Sequence, residues 1–143
     1  MAQATGTFDV KMAQQKADSP QAQSPQTPST PAQPAALSRW SIDKQFHGAL
    51  EATSTGEMLA AGNPGQGNAG YVAMESVSGT LDGHAGSFVL QHTGTMDHGA
   101  LSLTVTVVPG SGTGELTGLK GSMSITVESG KHSYTFGYSL PPN

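Results

Sequence analysis

Between Gly70 and Leu140, apolar and small polar residues alternate in one short run after another, and each run ends at a glycine. An alternation with a period of two places every second side chain on the same face of an extended chain, which is typical of antiparallel β-strands with one apolar face. Only 11% of the residues are charged, whereas 19 are glycine and 9 are proline. This composition favours many short strands joined by tight turns, so we predict an all-β protein.

The same pattern continues towards the N-terminus and divides the chain into eight strands. The predicted strands cover residues 4–12, 37–47, 49–60, 69–81, 85–96, 101–108, 122–128 and 131–140. Eight strands can close into a barrel whose interior holds its own side chains or one small ligand. Closure also removes the exposed edges that promote aggregation. We therefore predict a single eight-stranded antiparallel β-barrel domain over residues 1–143.

Residues 13–36 interrupt the alternation. They consist almost entirely of Gln, Ala, Ser, Thr and Pro and contain no aromatic residue. Such a composition cannot bury enough apolar surface to offset the entropy lost on ordering the chain. The segment is predicted to be a disordered or extended loop between the first two strands, and the alternative is that residues 1–36 form a tail.

Three short turns predict the register of the strands around them. A two-residue turn at 129–130 brings the apolar faces of the last two strands together. The turn within 82–85 holds either two or four residues, and the turn at 97–100 places His92 near Val105. All three hairpins then share one apolar interior. A slip of one residue would move an apolar set to the other side, so this agreement supports the registers.

Glu75 and His92 occupy positions that the alternation assigns to the apolar interior. A two-residue turn makes them diagonal neighbours and a four-residue turn places them opposite each other, so either register allows contact. A carboxylate beside an imidazole inside a barrel is typical of acid and base groups that act near neutral pH. Glu75 is therefore a candidate catalytic base or orienting carboxylate with His92 as its partner. The alternative is a bulge that turns Glu75 outwards.

Lys44 and several aromatic residues are candidates for ligand contacts. Lys44 interrupts an apolar face, where it either points inwards to pair with Glu75 or a ligand anion, or lies in a bulge or at the rim. The stripe that contains Tyr134 and Tyr138 is more typical of a core, although phenols can donate hydrogen bonds into a wide barrel. The predicted ligand-binding residues are Lys44, Trp40, Tyr71, Phe88, Tyr134 and Tyr138.

Charge and hydropathy argue against several classes of partner. The net charge is −4, and six Lys and Arg residues cannot neutralise a useful length of phosphate backbone, so nucleic acids and anionic membranes are not expected partners. No apolar run approaches the length of a transmembrane helix. Residues 1–8 lack the basic and apolar regions of a signal peptide, so we expect a cytoplasmic protein.

No motif indicates a metal or another cofactor. The chain has no cysteine, which excludes disulfides, thiolate metal sites and a cysteine nucleophile. Its five histidines fall on different predicted elements without chelating spacing, so no metal is expected. The glycine-rich run 112–121 lacks the Gly-Lys-Ser/Thr ending of a P-loop, and we predict an irregular crossover with positive φ angles instead.

Four segments carry a resemblance to a known family: residues 41–48 (SIDKQFHG), 70–75 (GYVAME), 86–96 (GSFVLQHTGTM) and the glycine-rich run 112–121. Together they resemble a bacterial family of small proteins known only as a domain of unknown function, and the resemblance covers nearly everything except residues 13–36. The resemblance implies an eight-stranded antiparallel barrel of the allene oxide cyclase type, with a calycin-like shape. It implies no catalytic residues, and a shared barrel does not transfer an activity.

Three functions fit these features. The first is a barrel that binds a small hydrophobic ligand in a cavity with a few polar groups. The second is a cofactor-independent cyclase or isomerase in which Glu75 and His92 move a proton. The third is a structural or oligomerisation module with a filled interior, in which Val72, Met74 and Val89 on the outer face form the contact of a homo-oligomer.

Overall fold

The computed structural model describes residues 2–15 and 37–141, and their strands form a closed antiparallel barrel. The strands follow one another around the barrel in sequence order, and the last pairs with the first. They are β1 (Ala2–Gln15), β2 (Leu37–Gly48), β3 (Leu50–Asn63), β4 (Asn68–Leu81), β5 (His84–Asp97), β6 (Ala100–Val107), β7 (Lys120–Glu128) and β8 (Lys131–Ser139). The predicted all-β class, strand count and closure are confirmed. No helix within the described ranges is long and apolar enough to cross a bilayer.

The predicted loop at 13–36 begins too early, because β1 continues to Gln15. Residues 13–15 belong to β1 and pair with residues 39–41 of β2, because backbone pairing extends a strand whatever side chains it carries. β1 also pairs with β8 from Ala2 to Phe8, so the described N-terminal residues are part of the barrel and not of a tail. The remainder of the predicted loop, 16–36, lies outside the described residues.

Three hairpins use the same kind of two-residue turn. Their central residues are Asp82 and Gly83, His98 and Gly99, and Ser129 and Gly130, all with φ between 48° and 83°. Positive φ at both central positions is the type I′ geometry, whose twist matches that of the strands it joins. His92 therefore lies opposite Val105, as predicted. At the 82–83 turn the two-residue alternative occurs, with Leu81 paired to His84.

Large apolar side chains fill one end of the barrel, which we call the packed end. Its fully buried side chains include Phe46, Phe88, Phe136, Leu50, Leu81, Leu90, Leu116, Leu119 and Val77. The Phe136 ring stacks on Phe88 and on Tyr138, with centroids 5.8 and 5.5 Å apart. Such close packing removes apolar surface from water and is the main favourable contribution to folding.

The glycine-rich connection between β6 and β7 covers the packed end. Thr113 N donates a hydrogen bond to Ser87 O at 2.8 Å, which attaches the connection to β5. A Cβ atom on Gly86 would lie 2.1 Å from Thr113 O, so this approach requires a glycine in β5. Gly114 and Gly118, within the predicted run 112–121, have positive φ. The prediction of an irregular crossover is confirmed.

β6 and β7 are paired over a much shorter length than their neighbours. Within the described strands, β6 contributes only Val105 and Thr106 to this pairing. Residues 100–104 of β6 and 124–128 of β7 continue away from the packed end without pairing to each other. We call this opening in the barrel wall the β6–β7 split. Leu101, on the inward face of β6, is 76% exposed beside it.

Candidate ligand-binding site

Four polar side chains lie buried together in the barrel, and we call them the polar cluster. They are Lys44 of β2, Ser54 of β3, Glu75 of β4 and His92 of β5. Lys44 is opposite Ser54 in the register of β2 and β3. Glu75 is diagonal to His92, which lies opposite Ala73. Side chains at directly opposite and diagonal positions on one face of a sheet are close enough to interact.

Neither of the proposed bulges occurs. Glu75 pairs in an uninterrupted register with Gly56 and Leu90, and it is 0% exposed. Lys44 pairs with Val10 in a register that is equally regular, and its side chain is only 7% exposed. Because successive side chains of a regular strand point to opposite faces, both charged groups point into the barrel. The alternatives of an outward Glu75 and a rim Lys44 are therefore wrong.

The Glu75 carboxylate is the centre of the polar cluster. Lys44 Nζ donates a hydrogen bond to Oε1 at 3.1 Å, and His92 Nε2 donates to the same oxygen at 2.7 Å. Ser54 Oγ donates to the other oxygen, Oε2. The Lys44 ammonium also lies 4.7 Å from the centre of the Phe8 ring, within the range of a cation–π interaction. Each buried charge thus has the partners that make its burial tolerable.

Burial by itself raises the pKa of Glu75, because an apolar surrounding disfavours the charged carboxylate. The hydrogen bond from His92, the charge of Lys44 and the hydrogen bond from Ser54 together outweigh burial and lower the pKa below its ordinary 4.5. Glu75 is therefore a carboxylate at neutral pH, and a carboxylate only accepts hydrogen bonds. It follows that His92 Nε2 carries a hydrogen, and in the neutral imidazole the free lone pair is on Nδ1.

His92 Nδ1 has no hydrogen-bond partner among the described residues. Every fully buried side-chain nitrogen or oxygen atom in 2–15 and 37–141 has a hydrogen-bond partner. Because Nδ1 has no partner, it must keep some accessible surface, although the His92 side chain is only 5% exposed. The same reasoning applies to the Tyr71 hydroxyl, whose ring centroid lies 6.4 Å from that of His92. Burial and the charge of Glu75 raise the pKa of Tyr71, which keeps its hydroxyl protonated.

An apolar cavity of about 520 Å³ occupies the end of the barrel opposite the packed end. Its lining includes Met12, Trp40, Met58, Ala60, Gly94 and Leu103. Tyr71 lies at its inner end, one inward position above Ala73 and next to the His92 ring. A Cβ atom on Gly94 would lie 2.3 Å from the Tyr71 ring, so this glycine lets the ring lie across β5. The volume falls within the range typical of small-molecule sites.

Two of the predicted ligand-binding residues line this cavity. They are Trp40 and Tyr71. Trp40 Nε1 donates to Ser38 Oγ at 3.1 Å, so the indole meets the cavity with its only polar atom already paired. Lys44 lies deeper, in the polar cluster, and contacts Glu75.

The other three predicted ligand-binding residues, Phe88, Tyr134 and Tyr138, belong to the packed end and do not line this cavity. Phe88 is stacked within the core. The Tyr134 hydroxyl accepts a hydrogen bond from Leu50 N at 2.9 Å, and the Tyr138 hydroxyl donates to the Asp82 carboxylate. Burial, together with this bond to Asp82, raises the pKa of Tyr138 to about 12. Both phenols hold strands together, which confirms the interpretation of this stripe as core.

Sequence reasoning missed Ser54. The alternation along β3 places it inwards between Ala52 and Gly56. Small polar residues are just as common on the outer faces of strands, so the residue type gives no signal. Only the position of Ser54 opposite Lys44, on the neighbouring strand, identifies it as part of the cluster.

The polar cluster is not built to hold a metal ion. It has one carboxylate and one imidazole, and the Lys44 ammonium takes the place beside Glu75 that a cation would occupy. Over residues 2–15 and 37–141, no group of three or more His, Cys, Asp or Glu side chains could ligate a metal.

Comparison with known proteins identifies relatives over the whole barrel. The family model described as "Protein of unknown function (DUF3224)" matches residues 4–138. Among solved structures, the chain is similar to a protein of unknown function from the DUF3224 family of Shewanella oneidensis MR-1. The two are 46% identical, the match covers 99% of each chain, and the TM-score is 0.84. A comparison with curated proteins finds no match. The family match begins in β1 and ends in β8, so it spans all eight strands.

Proposed function

The chain belongs to the DUF3224 family, and we propose that its barrel binds one small, largely apolar molecule in the cavity above the polar cluster. One observation carries this proposal. The cavity is apolar, and Tyr71 in its wall lies next to the polar cluster, with its ring centroid 6.4 Å from that of His92. Small-molecule sites are typically concave and mostly apolar, with a few polar groups that fix the orientation of the ligand.

The residues of the cavity wall favour this function over a purely structural barrel. Inward positions at this end carry Ala60, Ala69 and Gly94, which leave space open. A barrel selected for stability alone gains by filling such space, because unfilled volume forfeits dispersion contacts. The alternative of a filled interior accounts for the packed end but leaves the cavity without a purpose.

Native mass spectrometry of the protein purified from its own organism tests the proposal. We expect a population heavier than the bare chain by the mass of a small apolar molecule, which organic extraction then removes. Mass spectrometry of the organic extract then identifies the molecule. A bare chain in every preparation, together with no uptake of added apolar compounds, would contradict the proposal.

A pair of tryptophan variants locates the binding site with a neutral fluorophore, N-phenyl-1-naphthylamine, which brightens in apolar surroundings. Ala60→Trp places a large ring in the cavity, whereas Val72→Trp places the same ring on the outer face of β4, where Val72 is 52% exposed. We expect Ala60→Trp to abolish the fluorescence increase and Val72→Trp to leave it intact. Equal effects of the two variants would show that the fluorophore binds elsewhere.

A proton-transfer function is the second candidate, and the hydrogen bond between His92 and Glu75 favours it. A carboxylate that accepts the hydrogen on Nε2 leaves Nδ1 of a neutral imidazole free to act as a base, and Nδ1 keeps some accessible surface. In an isomerisation, Nδ1 would take a proton from one carbon of a bound molecule and return it to another, so that no cofactor is needed. Glu75 would be the orienting carboxylate, which stabilises the imidazolium that forms in between.

Conversion of cyclohex-3-enone to cyclohex-2-enone, followed by ultraviolet absorbance, tests this candidate. The reaction moves one proton from the α-carbon to the γ-carbon and needs no other reactant. We expect catalysis by the wild type and its loss in Glu75→Gln, with N-phenyl-1-naphthylamine binding retained. A wild-type rate equal to that of buffer, or an unchanged rate in the variant, would count against a catalytic role.

We place this binding protein in the cytoplasm. Its fold contains no cysteine and so does not depend on the redox state of its compartment. Cell fractionation with an antibody against the barrel tests the location. Recovery of the protein in a membrane or extracellular fraction would contradict it.

A further inference from the structure

Three of the six methionines of the chain line the cavity. They are Met12 of β1, Met58 of β3 and Met96 of β5. Met12 lies opposite the buried Ile42, and Met58 lies opposite Trp40, in registers without interruption. Directly opposite side chains of a regular sheet share a face, so these positions point inwards. Thioether groups from three separate strands therefore form part of the cavity wall.

The residue types of this wall differ from those of the packed end. β-Branched residues are common in strands, and the packed end contains Val77, Val105 and Val107. Within residues 2–15 and 37–141, no valine or isoleucine lines the cavity. Methionine has an unbranched, flexible side chain with a polarizable sulfur, which makes favourable contacts with aromatic rings. Methionine in place of β-branched residues therefore favours an aromatic ring as the occupant.

Two aromatic rings of the protein also belong to the wall. Trp40 is the only tryptophan of the chain, and Tyr71 lies across Gly94. The indole N–H of Trp40 is already paired with Ser38 Oγ, so the indole offers its apolar surface to an occupant. Contact between two aromatic rings adds to the free energy that area burial alone provides. Both residues thus favour an aromatic ring over an aliphatic one.

The charges near the cavity are already paired. No charged side chain lines the cavity in the part of the chain that the structure describes. The Lys44 ammonium and the Glu75 carboxylate lie in the polar cluster, 3.1 Å from each other. Transfer of an ion from water into an apolar site without a partner of opposite charge is costly. The cavity therefore favours a neutral occupant.

We propose that the ligand is a neutral molecule with an aromatic ring. The ring contacts the methionine sulfurs and the side chains of Trp40 and Tyr71. This inference rests on the proposed binding function and adds the chemical class of the ligand. Apolar burial alone predicts the opposite preference, because a cyclohexane ring is more hydrophobic than a benzene ring.

Isothermal titration calorimetry with 4-phenylbutan-1-ol and 4-cyclohexylbutan-1-ol tests this preference, since the two alcohols differ only in the saturation of the ring. We expect the wild type to bind the phenyl compound at least about threefold more tightly, because contacts with sulfur and with aromatic rings outweigh the difference in hydrophobicity. Equal affinities, tighter binding of the cyclohexyl compound or no binding of either alcohol would overturn the inference. If N-phenyl-1-naphthylamine also fails to bind, the ligand-binding function itself is overturned.

Leucine variants test the contribution of the sulfur atoms. Met12→Leu/Met58→Leu/Met96→Leu removes three thioethers at nearly constant side-chain volume. We expect this variant to lose the preference for the phenyl compound and to bind the cyclohexyl compound within about twofold of the wild type. Met58→Leu alone perturbs the fold less and should lose part of the preference. The control Met74→Leu/Met123→Leu changes the outer face and the packed end, and it should keep the full preference. An undiminished preference in the triple or the single cavity variant would overturn the role of the methionines.

Charged analogues test the neutrality of the ligand. 4-Phenylbutanoate and 4-phenylbutylammonium carry the same ring and chain as 4-phenylbutan-1-ol with an anionic or a cationic group at the end. We expect both to bind at least about tenfold more weakly than the alcohol at neutral pH, because neither finds an unpaired charge in the cavity wall. Equal or tighter binding of either ion would overturn the inference.

Discussion

At the scale of single residues, the polar cluster is the feature that distinguishes this barrel from a simple apolar core. A carboxylate in such a place is costly unless it is paired and hydrogen-bonded. Glu75 accepts hydrogen bonds from Lys44, Ser54 and His92, so both of its oxygens are used. The cluster contributes little net stability by comparison with apolar packing, but loss of one member leaves another charge buried without a partner.

Glu75→Gln is expected to destabilise the barrel by about 3 kcal/mol, because the Lys44 ammonium loses its counter-ion inside the barrel. The double variant Lys44→Met/Glu75→Gln removes both charges and is expected to regain most of this loss. Urea unfolding at neutral pH measures both. Glu57→Gln breaks the exposed ion pair with Arg39 and serves as the control, with an expected cost of at most about 0.5 kcal/mol. A Glu75→Gln cost no larger than the control would contradict the burial of a charged pair.

The lowered pKa of Glu75 predicts a dependence of stability on pH. A carboxyl group whose pKa is lower in the folded state contributes stability that is complete above its ordinary pKa of 4.5 and is lost as the pH falls through its folded pKa. The difference in unfolding free energy between the wild type and Glu75→Gln should therefore narrow from about pH 6 to about pH 3. Urea unfolding of both proteins across this range measures it, and a constant or widening difference would be evidence against the shift.

Much of the site was predictable from the sequence, but its decisive geometry was not. The alternation placed Glu75, His92 and Lys44 in the interior, and the structure brings all three into contact. The alternation alone could not decide between inward side chains and bulges, because the energy of a buried charge depends on partners from other strands. Lys44 is 31 residues from Glu75 along the chain. The free Nδ1 of His92 is likewise a consequence of which nitrogen meets Glu75, which only the fold determines.

At the scale of strands and turns, local chemistry determines the registers. Each type I′ turn has a glycine at its second position, and the register follows from the turn. Strand ends were harder to predict, as residues 13–15 show, because the extent of a strand depends on its neighbour. The allene-oxide-cyclase-like label for the barrel stays a prediction, since strand number and closure alone do not establish it.

Gly56 is expected to be essential for the pairing of β3 with β4. A Cβ atom there would lie 2.3 Å from Met74 O and 2.9 Å from the Cα atom of Glu75, and both are backbone atoms that cannot move freely. Gly56→Ala should therefore destabilise the barrel by about 1–3 kcal/mol. At Gly70 of β4 the nearest atom would be 3.7 Å away, an ordinary contact, so Gly70→Ala should change stability by at most about 0.5 kcal/mol. Thermal unfolding of the two variants measures the contrast, and equal midpoints would contradict it.

At the scale of the whole molecule, the barrel combines a packed end with an open one. The β6–β7 split lies on the open side, and Leu101 and Leu103 belong both to the cavity lining and to the part of β6 that pairs with β5 but not with β7. We expect ligands to pass through this split, since the other strand pairs are held by continuous ladders. The predicted homo-oligomer also stays a prediction, and its proposed contact residues Val72 and Met74 are half exposed on the outer face.

A disulfide across the split tests its use as the portal. Leu103→Cys/Ile125→Cys places cysteines where the β6–β7 register would continue, and the natural chain has no cysteine to interfere. Oxidation should slow the uptake of N-phenyl-1-naphthylamine in stopped-flow fluorescence by about tenfold or more, and reduction should restore it. Leu59→Cys/Val72→Cys, across a paired position of β3 and β4, is the matched control. Equal uptake rates in both oxidised variants would show that ligands use another route.

The central claim is that Glu75 holds the hydrogen of the His92 ring on Nε2, in a polar cluster that lies next to a cavity for one small apolar molecule. Two-bond ¹H–¹⁵N correlation spectra of protein labelled with [¹⁵N]histidine report the tautomer, and a spectrum of His92→Gln assigns the signal. We predict that the neutral His92 ring has its hydrogen on Nε2 and that N-phenyl-1-naphthylamine, bound in the cavity, shifts the His92 ring resonances while Nε2 stays hydrogen-bonded. A hydrogen on Nδ1 in the neutral ring, or His92 resonances that saturating N-phenyl-1-naphthylamine does not move, would contradict the account.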